Sequence, residues 1–448
     1  MLQETGSGRT VILETLGCKL NQYETDAIAT ELQRRGYRVQ DEGDRADAWV
    51  INSCTVTNKA DRKSRNTVNR AVRRAGSDGV VVLTGCFVES HRELLDESSA
   101  TYVVDNQHKN TIPELLDAHF RGEVLDPNEL DPNVFGFSPP DRLFHTRTSI
   151  KIQDGCDNFC TFCIIPFVRG RARSRPAGDI LREAQEAIRG GAREIVLTGV
   201  NMSRYRPDPD AAGAVRGIDD FAGLIAALLE LRGEYRLRIS SLEPDTLDER
   251  FIELFRHPRM CPHLHLCLQS GSDRILLAMR RMYTVTQYRE VVDALRAIDP
   301  NFTITTDLIV GFPGEGQGEF EESLQTAEDA DIAHVHMFPY SVRSGTRAER
   351  MPGQVSGATR SERGRIVQEQ ARVRKRRIRE GQVGTRQRML VETVQTEDGI
   401  PWARGLSEYY HPIVLRVPAG RTLEPNTFVE LTIERVLDGD EAVLVGQA

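Results

Sequence analysis

Through most of its length the chain alternates short β-rich apolar runs with longer helical stretches, and that alternation restricts it to parallel sheets covered by helices. In the first segment the β-rich runs are Thr10–Leu16, Ala48–Asn52, Gly79–Leu83 and Thr101–Val104. Between them lie helical stretches such as Gln22–Arg35 and Lys59–Arg74. One helix between successive strands predicts a small doubly wound α/β domain similar to flavodoxin, over residues 9–131. A stretch rich in Pro, Asp and Asn, Asp126 to Pro140, then breaks the pattern and reads as a linker.

The alternation resumes over residues 142–379. Candidate strands are Ser149–Gln153, Glu194–Leu197, Arg236–Ser240, His263–Leu268, Ile304–Ile309 and His334–Phe338. Helices are expected at Asp219–Leu231 and Thr286–Ala297, with a basic helix Ser361–Arg379 at the end. Six βα units predict a TIM-like barrel, open rather than closed with eight strands. From residue 381 to 448 the character changes to short strands cut by Gly and Pro (Arg388–Val394, Ile413–Val417, Thr427–Arg435, Ala442–Val445), which predicts a small β-barrel.

Composition narrows the function classes. No apolar run approaches ~18 residues, which argues against a membrane-spanning helix. The polar start, Met1 to Thr10, lacks the apolar core of a signal peptide, so a cytoplasmic location is expected. The net charge of −8 does not suggest a nucleic-acid binder. Two local basic stretches do: Arg169, Arg171, Arg173 and Arg175, and Arg372 to Arg379. The alternative is that both are solvated faces.

Eight cysteines in a reducing compartment point to metal binding or chemistry rather than disulfides. Cys156, Cys160 and Cys163 fall within one loop after the first barrel strand. Three thiolates so spaced can each take one iron of a [4Fe–4S] cube, leaving the fourth iron open to a small chelating molecule. A structural zinc site normally takes four ligands with tighter cysteine pairing. The C-x3-C-x2-C spacing resembles the radical S-adenosylmethionine (SAM) superfamily. That resemblance implies reductive SAM cleavage at Cys156, Cys160 and Cys163, with the SAM amino group held near Gly199 and Asn201.

Within the barrel, His263-Leu264-His265-Leu266-Cys267-Leu268-Gln269 puts three Leu on one strand face and His263, His265, Cys267 and Gln269 on the other. The polar face predicts a lined ligand cavity with Ser240, Glu243 and Asp307. A hydrogen-bonded core network is the alternative. Cys261 and Cys267 read as ordinary buried cysteines.

The remaining three cysteines share one placement. Cys18 follows Leu16-Gly17, Cys54 follows Asn52-Ser53 and Cys86 follows Thr84-Gly85, each at the end of a predicted parallel strand. Ligands of open α/β sheets sit beyond the carboxyl ends of the strands, so the three thiols converge on a candidate second cluster. The small residue before each is expected to leave room for it.

Taken together these motifs resemble the methylthiotransferase family. The matching residues are Thr15-Leu16-Gly17-Cys18-Lys19-Leu20-Asn21-Gln22-Tyr23-Glu24, Asn52-Ser53-Cys54-Thr55-Val56-Thr57-Asn58-Lys59-Ala60-Asp61, Thr84-Gly85-Cys86, Gly155-Cys156 through Cys163-Ile164-Ile165-Pro166 with Arg169-Gly170, Leu268-Gln269-Ser270-Gly271-Ser272 and Val310-Gly311-Phe312-Pro313-Gly314-Glu315. The last segment resembles a TRAM domain, an RNA-binding β-barrel. Its Trp402-Ala403-Arg404-Gly405-Leu406-Ser407-Glu408-Tyr409-Tyr410 departs from the usual TRAM turn, with Arg404, Tyr409 and Tyr410 as candidate RNA contacts.

The resemblance implies two [4Fe–4S] clusters, two SAM per turnover, a low-potential electron donor and a transfer-RNA substrate. The first-motif residues look like the branch that methylthiolates N6-threonylcarbamoyladenosine beside the anticodon. The alternatives are isopentenyladenosine, an aspartate of a ribosomal protein, or a non-catalytic iron–sulfur carrier or sensor with an RNA-binding tail.

Overall fold

The computed structural model describes residues 8–91, 100–137, 146–418, 420–439 and 441–447, and the chain forms two compact units. The residues 142–145 where the barrel segment was expected to begin, and the linker's last residues 138–140, lie outside the described residues.

The first unit is built on five strands: β1 (Thr10–Thr15), β2 (Arg38–Gln40), β3 (Ala48–Ser53), β4 (Val80–Gly85) and β5 (Tyr102–Val104). They are parallel throughout, in the order β2-β1-β3-β4-β5, the strand order of a flavodoxin-like sheet. Strands β3 and β4 are buried at every residue because helices cover both faces. Period-two alternation divides the core: Val11, Leu13, Val50, Val80 and Val82 face one side, and Ile12, Trp49, Ile51, Val81 and Leu83 face the other. Helices α1 (Lys19–Arg34) and α2 (Asn58–Ala75) follow β1 and β3, and α3 (Cys86–His91) follows β4. The expected linker is partly built into this unit: Val134 and Phe137 are buried, and Phe137 meets Tyr23 edge-on at 6.2 Å. Gln153–Arg175 and Val342–Thr346 belong to the same unit.

The second unit holds six parallel strands: β6 (Arg147–Lys151), β7 (Glu194–Thr198), β8 (Arg236–Ile239, continued by Ser241–Leu242), β9 (His263–Leu266), β10 (Thr303–Val310) and β11 (His334–Pro339). They form two parallel sheets, β8-β7-β6 and β8's continuation with β9-β10-β11, linked by the bridge Leu237–Met260. Among the described residues β6 and β11 do not pair, so the barrel is open, as expected. A closed five-stranded barrel completes the unit: β12 (Arg386–Glu397), β13 (Ile400–Leu406), β14 (Pro412–Arg416), β15 (Phe428–Val436) and β16 (Leu444–Gln447). It agrees with the TRAM-like expectation. Strand β13 went unread because its Pro401, Gly405 and Trp402 give no alternating run. No helix among the described residues is long and apolar enough to cross a membrane.

Buried ion pairs fix the small barrel to the amino ends of the large barrel's strands. Glu194, the first residue of β7, accepts from Arg236 Nε (2.6 Å) and Arg238 Nε (2.7 Å). The same guanidinium groups donate to the carbonyls of Arg388, Leu406, Ser407 and Glu408. Burial opposes the Glu194 charge, but Arg236 and Arg238 outweigh it and hold the carboxyl well below its usual range.

In the first sheet the two strand-end glycines answer to different neighbours: Gly17 leaves room for the Cys54 side chain, and Gly85 for the backbone of Ser53. Gly85 has φ +103°, and a Cβ there would lie 2.3 Å from Ser53 O and 2.5 Å from Ser53 N. Gly85→Ala therefore combines a left-handed residue with a backbone clash, and should destabilise this unit by roughly 3 kcal/mol. Gly122→Ala, at φ +79° with no atom nearby, should cost about 1 kcal/mol. Urea unfolding of the apoprotein, followed by Trp49 fluorescence in a Trp402→Phe background, measures both.

Candidate active site

The three strand ends of the first unit bring Cys18, Cys54 and Cys86 together. Cys18 caps α1, Cys54 follows β3 directly and Cys86 opens α3. An atom added at Gly17, beside Cys18, would lie 2.7 Å from Cys54 Sγ. Burial pushes the Cys54 thiol up to about 11, with Cys86 and Cys18 close enough to add to the rise. Cys86 is also pushed up by burial, while Arg169 and Lys109 pull it the other way. Two buried thiols and a third beside them, with Arg169 and Lys109 close to Cys86, suit an iron–sulfur cube, whose complex with three thiolates is anionic. Cys18 remains exposed.

Behind these thiols runs a buried chain of charge that sequence reasoning did not find. Lys109 Nζ donates to Glu24 Oε2 (2.6 Å) and Asn52 Oδ1 (3.0 Å). Arg169 donates to Glu24 Oε1 (3.0 Å), to Asn21 Oδ1 (2.6 Å) and to both Asp154 oxygens (3.1 Å each). Asn21 Nδ2 in turn donates to the carbonyls of Leu16 and Ser53, the residues next to Gly17 and Cys54. Lys109 and Glu24 are fully buried. Burial holds the Lys109 ammonium below its ordinary range in spite of Glu24, whereas Glu24 and Asp154 overcome burial and raise Arg169 well above its own.

Asp154 begins the loop that carries the other three cysteines, and the segment Gln153–Arg175 lies in this unit. Its base is a two-residue ladder, Gln153–Asp154 against Arg173–Ser174. Gly155 has φ +69°, and a Cβ there would sit 2.0 Å from Arg171 O, so only glycine passes. Cys160 is buried, while Cys156 and Cys163 are half-buried. Asn158 N donates to Cys156 Sγ at 3.5 Å and Cys163 N to Cys160 O at 3.0 Å. Sulfur atoms on one short loop with a backbone N–H aimed at one of them are what cluster thiolates require.

A second unforeseen residue is Arg343, in the short segment Val342–Thr346. It donates to Thr55 Oγ1 (2.6 Å), Asp61 Oδ2 (2.6 Å) and Asn58 Oδ1 (2.9 Å), clamping the turn after Cys54.

In the second unit, the five residues expected to contact SAM lie at or just beyond the carboxyl ends of their strands. Gly199 and Asn201 come after β7, with Asn201 buried and Ser203 Oγ donating to its Oδ1 (2.8 Å). Ser240 interrupts β8 before its continuation and Glu243 follows it, and Glu243 pairs with Arg281 at 3.0 Å. Gln269, at φ +65°, comes after β9, and its N–H bonds Asp307 O at 2.9 Å. The polar face of β9 is divided. His263 is part of a packed network, its ring stacked on Tyr410 at 4.5 Å and its Nε2 3.3 Å from Thr305 Oγ1. His265 and Asp307, 3.3 Å apart, keep side-chain exposures of 13% and 29% and so line an opening. Cys267 is buried beside them, its Sγ within 4.8 Å of their ligand atoms, and Cys261 is buried near Arg238 and Arg236.

Many of the expected RNA contacts are buried or paired with carboxylates of the chain. Arg169 and Arg175 are buried, as are Arg374, Lys375 and Arg379. Arg372 pairs with Glu369, Arg376 with Glu380 and Asp438, and Arg377 with Glu328 and Asp331. Arg404 pairs with Glu397, Tyr409 donates to Asp299, and Tyr410 packs between His263 and Arg238. Alternating basic residues were legible in the sequence, but the carboxylates that neutralise them were not.

Comparison with known proteins decides the family. Residues 150–327 match the radical SAM superfamily, and residues 10–105 match an uncharacterized protein family, UPF0004. The chain is 35% identical to the threonylcarbamoyladenosine tRNA methylthiotransferase MtaB of Thermotoga maritima, over 90% of each chain. The chain belongs to the radical SAM methylthiotransferases. It is 39% identical to the protein of the same name from Bacillus subtilis, covering 79% of this chain and 78% of the other. It is 34% identical to a tRNA-2-methylthio-N(6)-dimethylallyladenosine synthase of Methylibium petroleiphilum, covering 87% and 86%. Among solved structures, the radical SAM methyltransferase TsrM from Kitasatospora setae shares the fold, with a TM-score of 0.52 at 16% identity over 74% of this chain and 73% of that one. Membership of the superfamily brings a [4Fe–4S] cluster and SAM as cofactors.

Glu24 is the one carboxylate shared by both buried cations. Glu24→Gln leaves Lys109 and Arg169 facing each other with reduced compensation, and should destabilise the first unit by roughly 3 kcal/mol. Glu123→Gln, in an exposed pair with Arg121, should leave the same urea transition where it is.

Proposed function

We propose that this protein transfers a methylthio group to C2 of N6-threonylcarbamoyladenosine next to the anticodon of transfer RNA. The observation that carries the reading is the gathering of two cysteine trios, three strand-end thiols and one three-thiol loop, in a single compact unit. The substrate reading is supported by the relatives at 35% and 39% identity, which bear that nucleoside in their names, and by Cys18-Lys19-Leu20-Asn21-Gln22 at the first motif.

In this reading Cys156, Cys160 and Cys163 hold the SAM-cleaving [4Fe–4S] cluster, and Cys18, Cys54 and Cys86 hold a second, auxiliary one. When bound, the first supplies the electron that splits SAM and the second supplies the sulfur. The remaining work falls to the chain. Lys109 and Arg169 offset the negative charge gathered at the auxiliary trio, and Asn21 and Arg343 fix the turns that present Cys18 and Cys54. Gly199, Asn201, Ser240, Glu243 and Gln269 are assigned to SAM. Carbonyl and carboxamide oxygens near Gly199 and Asn201 suit its ammonium group, while Arg281 holds Glu243 in place. Two SAM are consumed per turnover, one as methyl donor and one as radical source, and a low-potential electron donor is required.

Nucleoside mass spectrometry of bulk transfer RNA with and without the gene tests the substrate. Loss of the methylthio mark on threonylcarbamoyladenosine is expected, and loss on isopentenyladenosine alone overturns it. The division between the trios has its own test. Cys160→Ala should abolish SAM cleavage to 5′-deoxyadenosine, whereas Cys54→Ala should retain cleavage and lose methylthio transfer. Equal loss of cleavage in both variants contradicts separate roles.

A further inference from the structure

With Arg169, Arg175, Arg374, Lys375 and Arg379 buried and the C-terminal tyrosines engaged, the question is what on this surface can grip an unpaired nucleotide. We propose that Phe167, with Phe159 and Arg171 beside it, is a stacking platform for an unpaired base of the RNA substrate. This rests on the transfer-RNA reading above.

Phe167 lies four residues past Cys163 in the single-turn helix Ile165–Val168 and is 61% exposed. Phe338 is the other phenylalanine exposed among the described residues, at 39%. The mount beneath Phe167 is rigid: Pro166 and Val168 are buried, Arg169 is locked in the ion network, and Phe167 N donates to Ile164 O at 3.0 Å. A large apolar ring held out in water on fixed backbone is a cost to the free protein, and a π-face partner removes it. Phe159 meets Phe167 edge-on at 5.9 Å and 83°, from a left-handed backbone at φ +47°. The Arg171 guanidinium lies 5.4 Å from the Phe159 centroid, and the Arg171 side chain, steadied by Asp157 at 2.9 Å, is 73% exposed.

Ring and cation thus sit side by side, the pairing that single-stranded nucleic acids take, with stacking for the base and a positive group for the phosphate. An apolar protein partner fits poorly, because exposed Gly170, Arg171 and Asp157 border the ring with polar and charged surface. Every base offers a π-face, so the platform confers affinity for an unpaired loop rather than sequence preference.

The test uses anaerobically reconstituted full-length protein, a transfer-RNA anticodon stem–loop, and a fully paired hairpin of equal length. Phe167→Leu keeps the bulk and removes the π-face. It should weaken stem–loop binding about tenfold, with the salt dependence unchanged and hairpin binding unaffected. Phe167→Trp should bind at least as tightly as wild type. Arg171→Gln should instead lower the slope of log affinity against log salt by about one. A 2-aminopurine beside the modified adenosine should be quenched on wild type and on Phe167→Trp, and stay bright on Phe167→Leu. Wild-type affinity in Phe167→Leu, or equal loss on both RNAs, overturns the platform while the transfer-RNA reading stands. If wild-type protein binds neither RNA, that reading falls and the platform with it.

Discussion

The carboxylate of Glu24 is the interaction on which the site depends. It lies fully buried on α1 between Lys109 and Arg169, and Arg169 carries the link on to Asp154 at the base of the cysteine loop. Two cations and two anions cancel formally, and isolation from water makes each contact strong and each omission expensive. The arrangement has a structural consequence. Helix α1 starts at Cys18, and Asn21 on its first turn holds the carbonyls beside Gly17 and Cys54, so the helix that carries Glu24 also sets the geometry of the strand-end thiols. One buried network therefore supports both cysteine trios.

The second unit separates stability from chemistry along its strands. Glu194, Arg236 and His263, each the first residue of its strand, hold the small barrel through ion pairs, carbonyl bonds and stacking. The residues assigned to SAM lie at or beyond the carboxyl ends. Parallel barrels commonly use their two faces in this way. Occupation of Tyr410 by His263 and Arg238, of Tyr409 by Asp299 and of Arg404 by Glu397 explains why the C-terminal barrel offers fewer free contacts for RNA than its aromatic and basic residues suggested.

Much of this was readable in the sequence, for reasons that differ by element. The buried strands β3 and β4 and the barrel strands announced themselves as apolar runs between helical stretches, and parallel topology follows from that alternation. Cys18, Cys54 and Cys86 were legible because ligand positions in such sheets are fixed by topology alone. Strand β2 was missed: three residues, exposed at both ends and polar, carry no periodic signal. Glu24, Lys109 and Arg343 were missed for another reason. Lys109 meets Glu24 across 85 residues and Arg169 meets it across 145, so no local pattern marks them. Arg169 was read as a phosphate ligand because sequence shows a charge but not its burial. Of the small residues before the cysteines, Gly17 leaves room beside the Cys54 thiol as read, whereas Gly85 answers to the backbone of Ser53.

In the proposed function one buried ion network positions both cysteine trios to take a cluster each. The direct measurement is iron content with Mössbauer spectroscopy on anaerobically reconstituted Arg169→Leu protein, which cuts the link between Glu24 and Asp154 without touching a thiol. The account predicts that both clusters are depleted together relative to wild type. Retention of both clusters at wild-type occupancy, in a variant whose network is cut, would contradict it.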